Sequence, residues 1–313
     1  MRIDYIDADV AYWVGMIIGR GTIVDDGTRC IITIKFPFVK PELENYDQFA
    51  GFVTSIVSTV LPRLKALLGE GVNLSTSPQE DVTFRVEFPS THIVVRNLKL
   101  ILEDRLDYKR FIVPTVIRES DDSEIIREFV RGFADVAGNI RRSNRDQAGV
   151  HRIYLDVLNE NWKLPVQLCD LLQNKLKIPV ANILWGHPNM RDPKAKQPQA
   201  SPLREHQIRI YAHHFLSVGF YVEHKQAVLK LLAEENKLRH KESIGSYCPG
   251  HRREAIKAKH PLEKDSRLPK GVRGKHFDAY WQICAACGCQ YAREYIRDRE
   301  RQKSFFTQSN ERD

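Results

Sequence analysis

Two short pairs of metal-ligand residues stand near the C-terminus, Cys248-Pro-Gly-His251 and Cys284-Ala-Ala-Cys287, with 32 residues between them. A two-residue gap lets both ligands of a tight turn reach one tetrahedral ion, and thiolates with an imidazole suit Zn²⁺. Four protein ligands fill the coordination sphere and leave no place for a catalytic water. The spacing therefore predicts a structural zinc held by Cys248, His251, Cys284 and Cys287 in a zinc-ribbon-like module over about 245–292. Cys289 and His276 are spare ligands, either able to replace one of the four. Four of the six cysteines lie in this region, and such clustering in a chain read as intracellular indicates metal rather than disulfide chemistry.

The chain between the two pairs is rich in Lys, Arg, Gly and Pro, so the zinc would staple a long basic loop. Residues 1–236 hold 30 Lys/Arg against 30 Asp/Glu, whereas 237–313 hold 18 against 10, so the whole net charge of +8 sits in the last quarter. A basic segment of this kind meets polyanions, most often nucleic acid; a merely soluble basic tail is the alternative. Lys257, Lys259, Lys270, Arg273 and Lys275 are the candidate phosphate contacts, and salt would weaken them steeply. Tyr280 and Trp281 fit packing in a small core better than base stacking.

Positioning such groups takes folded units. The chain has 313 residues, 42% of them hydrophobic and 28% charged, which is a globular balance long enough for two or three units. No apolar run approaches the roughly 20 residues that span a bilayer, and the N-terminus is acidic rather than signal-like. The expected setting is soluble, cytoplasmic, without a membrane partner.

Around Ala8–Gly21 the text ADVAYWVGMIIGRG is apolar at helical spacing and closes on glycine. Strands follow about an Asp25-Asp26-Gly27 turn, then a helix over about 41–68, a strand over 82–88 and a helix over 93–106. The order recurs: a helix over 122–137, strands near 139 and over 153–158, a helix over 165–176, strands over 180–185 and 207–212, and a helix over 224–238. Gly15-x5-Gly21-x-Ile23 returns as Gly132-x5-Gly138-x-Ile140, displaced by 117 residues. Glycine inside an apolar helix costs about 1 kcal/mol unless another helix approaches closely, so the two repeated helices are expected to pack on each other. Three units follow: a first repeat over 1–118, a second over 119–236, and the basic zinc-binding module with a charged tail over 237–313.

Alternation within the strands picks out a face for a ligand. Cys30, Ile32, Ile34 and Phe36 share one parity, and Arg29, Ile31, Thr33 and Lys35 the other. In the second repeat Ile153, Leu155 and Val157 oppose Arg152, Tyr154 and Asp156, with Arg141, Arg142 and Arg145 in the preceding turn. These residues could form a basic saddle; the same pattern also describes the solvated face of any antiparallel sheet.

The motifs WVGMIIGRGTI and FVRGFADVAGNI, the approach DYKRFIVPTVIRES and the closing SVGFYVEHKQAVLKLL together resemble single-chain LAGLIDADG homing endonucleases over roughly 5–236. The resemblance implies an α+β fold: tandem pseudo-twofold αββαββα repeats, two motif helices at the centre and two sheets straddling the major groove of double-stranded DNA. It also implies a carboxylate at the penultimate position of each motif, where paired acids hold Mg²⁺ against the scissile phosphates. Here those positions are Arg20 and Ala137, neither of which binds a hard cation. Arg20 could instead attract a phosphate oxygen, or snorkel to solvent at a helix end. Asp135 lies about 200° around the helix from position 137. Asp25, Asp26 and Asp146 are the other acids near the motifs, and Asp25-Asp26-Gly27 reads as turn chemistry.

The expected function is DNA binding by a monomer whose usual cleavage centre is lost, leaning away from an enzyme. One alternative is an active, Mg²⁺-dependent DNA endonuclease with relocated acids. The other is an RNA-binding or assembly factor that recruits a protein partner.

Overall fold

The computed structural model describes residues 6–39, 48–142, 151–157, 163–188, 204–239 and 282–283. The Cys/His pairs, their spare ligands and Lys257, Lys259, Lys270, Arg273 and Lys275 lie outside those residues, as do Arg145 and Asp146.

In the first half, α1 (Ala8–Arg20) runs into β1 (Gly21–Asp25) and β2 (Arg29–Pro37); α2 (Phe49–Leu68) then leads to β3 (Asn73–Ser77), β4 (Asp81–Pro89) and α3 (Ile93–Ile101). After a short α4 (Thr115–Arg118), the second half repeats the order with α5 (Ser123–Ala137), β5 (Gly138–Arg141), β6 (Arg152–Val157), α6 (Lys163–Asp170), β7 (Asn182–Pro188) and β8 (Arg204–Tyr211). It closes on α7 (Ala212–Phe215) and α8 (Glu223–Arg239), and β9 (Gln282–Ile283) adds to the far edge of the second sheet. The sheets are antiparallel, ordered β1-β2-β4-β3 and β5-β6-β8-β7-β9. This is the α+β architecture that the repeat and the LAGLIDADG resemblance led us to expect.

Local sequence explains how the motif helices begin and end. Asp7 caps α1 by accepting the Val10 amide at 2.8 Å, and Asp122 caps α5 through the Glu124 amide at 2.8 Å. Glycine ends both, at Gly21 and Gly138, where the chain turns directly into a strand. Between these ends, α1 and α5 pack through their glycines. A Cβ on Gly15 would lie 2.1 Å from the Phe129 carbonyl oxygen, and one on Gly132 would lie 2.0 Å from the Tyr12 carbonyl oxygen. Tyr12 and Phe129 are themselves 117 residues apart, so each helix makes the same contact on the other. That reciprocity is the mark of a twofold interface.

The inward sheet faces complete the core. Cys30, Ile32, Ile34, Phe36, Val82, Phe84 and Val86 are buried from the first sheet, and Ile153, Leu155, Ile208 and Ile210 from the second. One expectation needs correcting: α2, with 20 residues, is by length and composition apolar enough to cross a membrane. Its Phe52, Ile56, Val60 and Leu64 recur every fourth residue and are buried against the fold. Its Arg63 ion-pairs with Asp9 of α1 at 2.6 Å and lies 4.0 Å from the Tyr221 ring centroid.

Candidate nucleic-acid interface

Both motif helices end together, since Gly19 sits against Val136 and Phe133 near the two C-termini. A helix C-terminus carries partial negative charge, and two side by side call for a cation. Arg20 supplies one in the last turn of α1, where it is half-buried. The end of α5 has no basic residue of its own. Lys225 of α8 takes that place: its ammonium donates to the carbonyls of Asp135 at 2.6 Å and Gly138 at 2.9 Å. Ala137 is buried. The residue type and position of Lys225 gave no sign of this role in the sequence, because the contact spans about 90 residues.

Of the candidate acids near the motifs, the three among the described residues are bonded elsewhere. Asp135 is fully buried; its Oδ2 accepts the Tyr12 hydroxyl at 2.7 Å and the Tyr221 amide at 3.1 Å, and its Oδ1 accepts the Val222 amide at 3.3 Å. Burial raises its pKa to about 6, and Lys225, the Tyr12 hydroxyl and the two amides pull against that rise. It ties α1 to the segment entering α8. Asp25 lies at the far end of β1, where it accepts from Gly27 N at 3.0 Å and Ser90 Oγ at 2.6 Å and pairs with Lys99 of α3. Its bond to Lys99, then those to Ser90 and Gly27, hold its pKa at about 2. Asp26 accepts the amides of Thr28 and Arg29 at 2.8 and 2.7 Å, which lowers its pKa. Four strand residues separate Asp25 from Arg20, roughly 13 Å or more.

At these helix ends the side chains of Arg20 and Ala137, a cation and a methyl group, offer no oxygen ligand to Mg²⁺. Among the described residues, no group of three or more His, Cys, Asp and Glu is arranged to hold a metal ion.

Each sheet starts from a helix tip and has one apolar face in the core and one polar face, which is largely exposed in the first sheet and largely buried in the second. In the first sheet that face carries Thr22, Arg29, Thr33, Lys35, Thr83, Arg85, Glu87, Asn73 and Ser75 in register across four strands. Arg29 pairs with Glu87 at 3.2 Å and Lys35 with Asp81 at 3.9 Å, all of them on the same face. In the second sheet the matching face carries Asn139, Arg152, Tyr154, Asp156, Gln207, Arg209 and Tyr211, of which Asn139, Asp156, Gln207 and Arg209 are buried. Arg152 donates to the Tyr211 hydroxyl at 3.5 Å and lies 5.1 Å from its ring centroid. Arg142, just beyond β5, is held at 2.6 Å by Glu235 of α8, which also contacts His151 at 2.8 Å.

Arg20 thus lies at a helix tip and Arg29, Lys35, Arg152 and Tyr154 on the polar sheet faces, whereas Arg141 is the last residue of β5 and Arg142 stands just beyond it. Sequence reasoning passed over Arg85, Asn139, Gln207, Arg209 and Tyr211. The alternation Gln207, Arg209, Tyr211 against Ile208, Ile210 was the available signal for the last three.

No protein-family profile and no curated protein matches the sequence. Among solved structures, the chain is similar to the homing endonuclease I-DmoI, with 15% identity over 67% of this chain and 88% of that one and a TM-score of 0.36. It is similar to the LAGLIDADG meganuclease I-AabMI bound to uncleaved DNA, at 12% identity, 74% and 91% coverage and a TM-score of 0.37. A third likeness is to the N-terminal LAGLIDADG domain of DUF199/WhiA, at 10% identity, 76% and 90% coverage and a TM-score of 0.34. At these values no residue's role passes from those proteins to this chain.

Proposed function

We propose that this protein binds double-stranded DNA through its two sheets and does not hydrolyse it. It works as a monomer whose two halves supply the two sides of one groove, inside the cell, where the duplex is found. The C-terminal segment 237–313, with its structural zinc on Cys248, His251, Cys284 and Cys287, adds sequence-independent grip through its excess of cations.

The observation that carries the reading is the pair of polar sheet faces that start where the two motif helices end, with Arg20 in the last turn of α1 and Lys225 on the carbonyls at the end of α5. Polar and cationic side chains in register across a sheet suit phosphates and groove edges. Cations at the junction favour a phosphate there, and repel the divalent ions that phosphodiester hydrolysis would recruit. Purified full-length chain is to be incubated with varied duplexes and structured RNA, with Mg²⁺ or Mn²⁺ present. The expected result is retention of duplex, weakening with salt, with no scission. Specific cleavage would defeat the non-hydrolytic reading, and preference for structured RNA over duplex would defeat the choice of partner.

A further inference from the structure

The exposed polar face of the first sheet also carries two apolar residues that do not belong to the core. Val24 of β1 is 55% exposed, and its direct partner across the strands is half-buried Ile31 of β2. Both lie on the side opposite Ile23, Cys30 and Ile32, which pack inward. Directly opposed residues of an antiparallel pair bring their Cβ atoms within about 5.5 Å, so the two side chains form one patch. Thr22 and Thr33, the next pair along on the same face, add their methyl groups beside it.

Branched side chains favour strands, so exposure alone decides nothing. The repeat does, because its frame does not require hydrocarbon at these positions. Displacement by 117 residues puts Arg141 at the place of Val24, and its register partner Arg152 stands at the place of Ile31. The same strand pair is thus built on two arginines in one half and on two branched hydrocarbons in the other. Around the patch the charge is cationic or neutralised. Glu87, opposite Ile31 on β4, is held at 3.2 Å by both Arg29 and Arg85, and Lys35 is exposed two residues past Thr33. Asp25, next to Val24, is paired with Lys99. Such a surface suits an occupant that is anionic as a whole and apolar at one point.

We infer that Val24 and Ile31 select thymine in the part of the duplex that meets the first sheet, by receiving its C5-methyl group in the major groove. Most of what that groove offers is hydrogen-bond donors and acceptors, and the thymine methyl is its apolar group. Covering the methyl with hydrocarbon removes apolar surface from water on both sides, which corresponds to about fourfold in affinity for each methyl. Cytosine presents an N4 donor instead, which hydrocarbon leaves unsatisfied. The inference rests on the DNA-binding reading above and adds a base preference and the residues that set it.

The test is selection from a random duplex library by the full chain, then competition between the selected duplex and copies in which single thymines are replaced by deoxyuridine. Deoxyuridine pairs in the same way and lacks only the methyl. Thymine should be enriched at particular positions of one half-site, and uracil there should weaken binding about fourfold with the salt dependence unchanged. Val24→Ser should bring the thymine-to-uracil ratio close to one. Ile31→Arg, which copies the residue at position 152, should do the same while tightening binding to both duplexes, and it decides the matter if Val24→Ser is unstable. Uracil without effect at every position, or an effect that survives in both variants, overturns the inference. Concentration-dependent self-association that Val24→Ser abolishes would assign the patch to a second copy of the chain, and overturns it too. Failure of the wild-type chain to retain any duplex at low salt is a separate outcome, and it removes the DNA-binding reading itself.

Discussion

Asp135 shows how a residue type that suggests catalysis can serve the interior instead. Its carboxyl is buried with three donors around it, and its pKa stands near 6 against an ordinary value of 3.8. Because the folded-state value is raised, the group's stabilising contribution is complete below about pH 4 and is lost as pH rises through 6. Two units correspond to about 3 kcal/mol. Urea unfolding of wild type and Asp135→Asn, compared from pH 7 to pH 4, should show the difference moving in favour of wild type by up to that amount; a constant difference would mean the carboxyl titrates normally. Arg20 is the complementary case, a half-buried cation in the last turn of α1. Arg20→Glu should weaken duplex binding, measured by titration at fixed moderate salt, without exposing cleavage. Unchanged affinity would remove its phosphate role. Arg20 at the end of the first motif was legible in the sequence alone; the sequestration of Asp135 was not, since its partners lie 123 and about 86 residues away.

At the scale of elements, the pair α1 and α5 depends on two backbones meeting where no side chain intervenes. An alanine at Gly15 or Gly132 would drive Cβ into a carbonyl oxygen of the facing helix, and backbone on both sides cannot give way cheaply. Either substitution should cost about 3 kcal/mol or more, or abolish folding, as read by thermal melting. Gly51→Ala on α2 is the control: nothing lies within 4 Å of its added Cβ, so it should stabilise by about 0.5–1 kcal/mol. Equal effects at Gly15 and Gly51 would refute the close approach. The glycine spacing made this helix pair legible, because only Gly tolerates such contact and only a repeat places it twice. Strand β3 was not legible: Asn73-Leu74-Ser75-Thr76-Ser77 has a single apolar residue and sits at a sheet edge, where pairing with β4 rather than burial defines it. The bonds that Asn139 and Gln207 donate to the buried Asp156 carboxylate were hidden for a related reason, since they exist only once the register of β5, β6 and β8 is known.

For the whole molecule, charge is divided between a neutral repeat pair and a basic C-terminal quarter, and the boundary at 236/237 lies within α8. Further along, β9 returns to the second sheet, where Ile283 and Gln282 pair with Ile183 and Leu184 of β7. A strand added there covers an edge that would otherwise be open, and Gln282–Ile283 immediately precedes Cys284. If zinc folds the module, ligand loss should be felt locally and in DNA grip, not in the repeat core, because so small a unit draws its folding energy from the metal. Cys284→Ser in the full chain should therefore release zinc, measured by bound-metal analysis, and speed hydrogen exchange beyond about residue 245. Melting of the repeats should stay within about 0.5 kcal/mol, as for a change remote from their core. Should Lys257, Lys259, Lys270, Arg273 and Lys275 leave the phosphates together, the slope of log affinity against log salt would fall by up to about 4. Retained zinc would show that the ligand set is wrong. Lost zinc with an unchanged slope would show that the module holds a structure without gripping the duplex.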